Sequence, residues 1–371
     1  MQITTNTTGM LAGLTVSTDK DGRDHCVVII KGTFSIQKDG TATLAEVQHP
    51  LVYADKHYGD PGTTSIQYEC DFAPFKPRAD VIVNGFAFSP NGSPIREMLV
   101  GLQVGSVRKV IKVFGDRFWD RGLTGLRPSD PKPFTQMPLT YERAFGGSDQ
   151  SDNDPKKWGF ELRNLVGVGF YRGAGIGSVA GRPIPNLEDT HKTINSWSDR
   201  PPPASFGGLA RGWQPRIKYA GTYDQRWLDQ RFPFLPEDFD QQYFQSAPAN
   251  QQLPYLKGGE VVRCANMTPD GDITFTMPQI EISISYHFRD RNVAKEPNLD
   301  TVIVEPDHRR FIATWRASIP LGRKIHALRE VSVGHRKIAV QRQTASGKPH
   351  FNSLNEAIAW KTNLGNSDKG T

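Results

Sequence analysis

Three cysteines in 371 residues, Cys26, Cys70 and Cys264, are too few and too widely spaced for a disulfide framework, a CxxC zinc motif or a redox pair. Long apolar runs are missing too: nothing approaches the roughly 18 consecutive apolar residues that a membrane-spanning helix needs. The chain opens Met1-Gln-Ile-Thr-Thr-Asn, with no basic stretch leading into an apolar one, so no secretory signal is expected. The nine histidines include no H-E-x-x-H, no H-x-H and no pair at zinc-ligand spacing. There is no P-loop and no G-x-S-x-G elbow. Gly175-Ile-Gly177-Ser-Val-Ala180 formally fits G-x-G-x-x-A, but Arg182-Pro183-Ile-Pro185 follows at once and excludes the helix whose N-terminus would meet a pyrophosphate. The expectation is a soluble, cytoplasmic protein with no metal and no cofactor.

What is abundant is turn chemistry. Glycine (35) and proline (27) together exceed the usual share, while apolar residues at 37% still permit a core. The predicted fold class is mainly β: antiparallel sheets, sandwich-like, with long ordered Gly/Pro/aromatic-rich loops and a few short helices. In region 1–114, the β-branched run from Cys26 to Ile36 ends in Lys38-Asp39-Gly40, and Gly105-Ser106 separates two further strand patterns, so both read as hairpins. Connections this short imply antiparallel pairing. Region 115–279 is a loop-rich elaboration, with 15 Gly and 11 Pro between residues 115 and 215. Its many large aromatics argue for order, because disordered segments are depleted in them. A short helix is predicted at residues 236–244, with Glu237 and Asp238 at its start and Phe239 and Tyr243 at i, i+4. A hairpin is predicted around Pro269-Asp270-Gly271. Region 280–371 opens with an alternating strand at 280–286 and ends in a helix with a Ser353/Glu356 capping box. Residues 1–320 are also compatible with one continuous unit.

Charge is uneven. Residues 1–286 hold 30 basic against 31 acidic side chains, whereas residues 287–371 hold 15 against 8, so the net charge of +6 comes from the C-terminal segment. Arg323, Lys324, Arg329, Arg336, Lys337 and Arg342 form a candidate basic patch that could steer an acidic partner. No RNA-binding aromatic motif or zinc finger accompanies it, so nucleic acid is the weaker reading. The alternative enzyme reading is a hydrolase using paired carboxylates such as Asp238 with Asp240, or Glu188 with Asp189. Asp149, Asp152 and Asp154 form an acidic cluster without EF-hand spacing.

The remaining clusters combine polar and aromatic residues: Pro138-Leu-Thr-Tyr141-Glu142-Arg143-Ala-Phe145-Gly-Gly147, Pro203-Ala-Ser-Phe-Gly207, Arg211-Gly-Trp213, Gly221-Thr-Tyr223-Asp224, the stretch from Phe232 to Asp240, and Tyr255-Leu-Lys-Gly-Gly-Glu260. In this order, over roughly residues 80–320, they resemble the domain-of-unknown-function family encoded beside the spike and effector genes of bacterial type VI secretion systems. One departure is that Asn164 is followed by Leu165, where the family pattern commonly has proline. The resemblance implies a non-enzymatic adaptor or chaperone that binds a type VI effector and helps load it onto a spike of valine-glycine-repeat (VgrG) and PAAR-type proteins. It implies no catalytic residue. Interfaces favour aromatics and arginine, and Tyr141, Arg143, Phe145, Trp213, Tyr223 and Phe239 sit beside Gly or Pro that can hold a loop open. They are the candidate partner-binding residues. The competing reading is that these aromatics pack into a core of the loops themselves, and that Glu142 and Arg143 form an internal ion pair.

Overall fold

A computed structural model describes residues 1–123, 125–172, 176–322 and 327–335. The chain is mainly β, with very short helices. The largest sheet has seven strands. Its order is Leu11–Thr18, Asp24–Ile36, Arg310–Pro320, Asn298–Glu305, Ala79–Val83 and Gln252–Leu253, with Ala42–Leu44 paired onto Asp24–Ile36. A five-stranded sheet runs Leu187–Asp189, Val107–Phe114, Glu97–Val104, Val261–Thr268 and Gly271–Thr276, and a four-stranded sheet joins Ile3–Asn6, Leu328–His335, Ile282–Phe288 and Asn292–Lys295. The large sheet thus takes strands from the beginning, middle and end of the chain. The basic patch apart from Arg329, and the helix predicted at its Ser353/Glu356 capping box, lie outside the described residues.

Local turn chemistry forms the hairpins where the sequence places them. Gly40 takes φ +82° and Asp39 Oδ1 accepts from the Thr41 amide at 2.9 Å. Gly105 and Gly271 take φ +53° and +98° in the other two turns. The short connections join antiparallel strands, as expected, whereas two pairs remote in sequence are parallel. Asn298–Glu305 pairs in parallel with Ala79–Val83, and Ile3–Asn6 with Leu328–His335. Parallel partners need only a long connection, and these are more than 200 residues apart in sequence. Ala79–Val83 and Asn298–Glu305 are buried on both faces, so the apolar stretches Val81–Val83 and Val302–Val304 do not alternate, and the polar residues beside them, Asp80 and Asp300, are buried as well.

On one face, Phe311 stacks between Phe34 of its own sheet and Phe275 of the five-stranded sheet, with centroids 5.0 Å apart on each side. This joins the two sheets through one apolar core. The other face is closed by irregular chain, and its buried charges hold that chain down. Asp80, fully buried, accepts from Lys76 Nζ (2.8 Å), Gln245 Nε2 (2.6 Å) and the amides of Ser246 (2.9 Å) and Ala247 (3.2 Å). Lys76 lies 3.6 Å from Glu69, which also accepts from Arg216 Nη2 at 2.6 Å and Arg211 Nε at 3.3 Å. Arg316 binds Asp300 and the carbonyls of Asp71 and Ala73. Lys31 meets Asp71 at 2.7 Å.

The loop layer has its own tight point. Asn164, fully buried, donates from Nδ2 to the carbonyls of Tyr141 (2.8 Å) and Phe145 (3.0 Å), where Phe145–Gly146 pairs in parallel with Val168–Gly169. A side chain at Gly147, at φ +88°, would place Cβ 2.3 Å from the Gly167 carbonyl oxygen. Gly271 has positive φ but open space around it. Gly271→Ala should therefore cost about 1 kcal/mol of backbone strain, and Gly147→Ala several times more, as read from urea unfolding midpoints.

Glu69 gives a pH dependence of known sign. Burial alone would raise its carboxyl, but Arg216, Lys76 and Arg211 outweigh burial and bring it from 4.5 to about 2. Because the folded value is the lower one, its stabilisation is present above pH 4.5 and lost as pH falls through 2. The difference in urea midpoint between wild type and Glu69→Gln should be flat above pH 5 and shrink between 4.5 and 2.

Candidate functional site

An arm formed by residues 222–238 projects from the loop layer. Its helix is Gln225–Gln230, capped by Asp224, whose Oδ1 accepts from the Trp227 amide at 2.8 Å. Trp227 is the arm's centre. Its indole donates to the Phe234 carbonyl at 2.9 Å, and its ring meets Tyr223 edge-on at 4.7 Å and Phe232 at 5.8 Å. At the base, Asp238 accepts from the amide and hydroxyl of Thr222 at 2.9 and 2.7 Å, and these bonds lower its carboxyl. Gly221 there has φ +82°, and any Cβ would lie 2.8 Å from Pro236. Phe234 rests on Gly22, and Arg231 donates to the Lys20 carbonyl, which seats the arm on the turn before Asp24–Ile36.

The arm leaves apolar surface uncovered. Tyr223, Leu228, Phe232 and Phe234 are 54%, 50%, 64% and 43% exposed. Arg226 stands beside them, in a loose 3.8 Å pair with Glu237. A cleft of ≈ 290 Å³ opens between the helix and the 236–238 segment, lined by Trp227, Arg226, Gln230 and Glu237 among others. This combination of aromatic rings, a guanidinium and a concave surface can bind a polypeptide.

The sequence places the helix of this region one segment too late. The stretch 236–244 holds only the 3-10 turn Gln241–Phe244, because Asp238 is engaged by Thr222 and Asp240 caps the turn by accepting from Gln242. The expected ring contact survives, with Phe239 and Tyr243 5.9 Å apart. The signal for the true helix was Asp224 followed three residues later by Trp227, an N-cap arrangement with no acidic partner to advertise it.

Of the six candidate partner-binding residues, Tyr223 is exposed on the arm. Tyr141, Phe145, Trp213 and Phe239 are buried, and they present no surface for a partner. Tyr141 packs edge-on against Trp213 at 5.4 Å, Phe145 packs with Trp119, Tyr171 and Ile184, and Phe239 contacts Tyr243 and Phe244. The reason is supply: in a stretch this rich in Gly and Pro, the large rings are the main local apolar area from which a core can form. Arg143, 42% exposed, bonds Asp116 and Asn186 at 3.2 Å, while Glu142 accepts from the amide and hydroxyl of Ser65. Each ties two loops together, but not by pairing with the other. Among the basic patch residues, Arg329 is exposed, and Arg323, Lys324, Arg336, Lys337 and Arg342 lie outside the described residues.

The carboxylates considered for hydrolysis have structural partners. Glu188 binds Arg117 and the Ile194 amide, Asp189 accepts from the His191 amide, and Asp238 and Asp240 are engaged as described. Asp149, buried, accepts from Ser151 and the Arg172 amide, and Asp154 caps the turn Pro155–Lys157. The stretch after Gly175 forms a one-turn helix, Ile176–Val179, closed by Gly181 at φ +80°. Among the described residues, no group of three or more His, Cys, Asp or Glu side chains is placed to hold a metal, and no helix is long and apolar enough to cross a membrane.

A family model for an uncharacterized protein conserved in bacteria (DUF2169) matches residues 21–316. The chain belongs to this family. No curated protein and no solved structure matches it. The DUF2169 region begins at the turn that seats the arm and ends at Arg316, so it contains the arm, the Asn164 loop and the whole buried charge network. The basic patch lies beyond it.

The two classes of aromatic in this DUF2169 protein should separate cleanly. Trp213→Ala should cost about 3–5 kcal/mol as a buried ring, whereas Tyr223→Ala and Phe232→Ala should each cost about 1 kcal/mol or less. Thermal unfolding of the three variants is the measurement.

Proposed function

We propose that the protein is a non-enzymatic adaptor or chaperone that binds a protein partner through the 222–238 arm, the partner being a type VI secretion effector that it helps load onto its spike. The observation that carries the binding role is the exposed group Tyr223, Leu228, Phe232 and Phe234 beside Arg226 and a cleft. Aromatic and arginine side chains supply most interface hot spots, and rings held rigidly by one another lose little entropy on binding. Trp227 provides that rigidity. The choice of a secreted effector rests on the resemblance of the Tyr141–Gly147, 203–207 and 232–240 clusters to proteins encoded beside type VI spikes. Arg329 and the basic residues near it in sequence would steer an acidic partner and affect association more than dissociation.

The test is co-purification of the effector encoded beside this protein. A double Tyr223→Ala, Phe232→Ala variant that keeps its melting temperature should lose binding by about tenfold or more, the loss expected when a hot-spot ring is truncated. An effector that is equally stable, and equally secreted, in cells lacking the protein would overturn the reading.

A further inference from the structure

Among the described residues three lysines are almost wholly buried, and one of them differs from the other two. Lys31 meets Asp71 at 2.7 Å and Lys76 meets Asp80 at 2.8 Å, so each ammonium has a carboxylate. Lys109, 8% exposed on the strand Val107–Phe114, has only neutral oxygens: its Nζ lies 2.6 Å from the Ser205 carbonyl and 2.6 Å from Gln251 Oε1, and 5.5 Å from the centre of the Phe206 ring. Gln251, fully buried, passes the contact on, donating from Nε2 to the carbonyls of Val81 (2.8 Å) and Phe206 (2.9 Å). Lys109 therefore sits where the five-stranded sheet, the 203–208 loop, the turn Ala249–Gln251 and the central strand Ala79–Val83 meet.

We propose that Lys109 is a proton-operated latch: in the closed joint its amine is neutral and donates both protons to Ser205 and Gln251, and taking up a third proton favours release of the 203–208 loop and the Ala249–Gln251 turn from the five-stranded sheet. Two donors matched to two neutral acceptors satisfy an amine, whereas an ammonium buried there has no carboxylate bonded to it. The amine meets Ser205, Gln251 and the Phe206 ring, with Leu102 opposite it on the paired strand, and none of these titrates. Asp189, on the adjacent strand Leu187–Asp189, is the charged group that acts on it, and its pull is outweighed by burial, which brings the amine from 10.5 down to about 7. The sign follows. Release restores the ordinary affinity for a proton, so between pH 10.5 and 7 a fall in pH shifts the joint toward the open form, and below 7 it shifts it no further. The latch concerns how two layers are held and does not depend on which partner the arm binds.

The direct test is a titration of wild-type protein carrying lysine labelled with ¹³C at the ε position, with Lys109 identified by backbone-linked assignment so that no variant is required. Lys109 should titrate about two or more units below the exposed lysines. Titration together with them, near 10.5, would overturn the proposal. Lys109→Met supplies the second measurement. The urea midpoint of wild type, relative to this variant at the same pH, should rise from pH 7 to pH 9.5, and a constant difference would sink the latch even if the amine titrates low.

Discussion

A carboxylate at the centre of a sheet must find partners, and Asp80 finds them in irregular chain. It lies on a strand buried on both faces, where no water can replace a missing donor. The amides of Ser246 and Ala247 and the side chains of Gln245 and Lys76 converge on it. Lys76 links it to Glu69, and through Glu69 to Arg216 and Arg211, so that segments remote in sequence are held to one sheet face. Such a network specifies an arrangement more than it adds stability, since the cost of desolvating each ion offsets much of the attraction. Removing one member leaves the others uncompensated, and the loops that supply them lose their reason to sit where they do.

The same logic orders the glycine-rich middle of the chain by other means. Asn164 acts as a surrogate strand, offering an amide to two carbonyls that no ladder reaches. Gly146, Gly147 and Gly167 let backbones approach to distances that any Cβ would forbid. Around this point Trp119, Phe145, Tyr171, Val179, Ile184 and Ile194 form a small core separate from the one between the sheets. Long loops without regular structure thus become a folded layer, because aromatic burial and a few buried polar bonds replace repeating hydrogen bonds.

The arm is built differently. Its aromatics pack on one another and on Trp227 rather than into either core, and its base is held by Asp238, Thr222 and Gly221. It also meets the turn before Asp24–Ile36, through Phe234 on Gly22 and Arg231 on the Lys20 carbonyl. Separation of this kind leaves a surface free to change without disturbing the buried charges.

Much of the fold was legible because its signals are local. Asp39-Gly40, Gly105-Ser106 and Asp270-Gly271 mark turns whose chemistry lies within four residues, and the run from Cys26 to Ile36 reads as a buried strand by its β-branched side chains alone. The sequence marked Tyr223, Tyr141, Phe145, Trp213 and Phe239 in the same way, by aromatic type and a neighbouring Gly or Pro, and of these five Tyr223 is the exposed one. Which of them turns inward depends on what the chain brings from elsewhere: Trp213 against Tyr141, Tyr171 against Phe145, Ser65 onto Glu142. Composition and turn spacing determined a β-rich chain with ordered loops. Only the tertiary structure decided that Asn298–Glu305 lies parallel to Ala79–Val83, that Lys109 meets no carboxylate, and that the arm's rings stay in solvent, because each depends on contacts between segments whose separation in sequence carries no local signal.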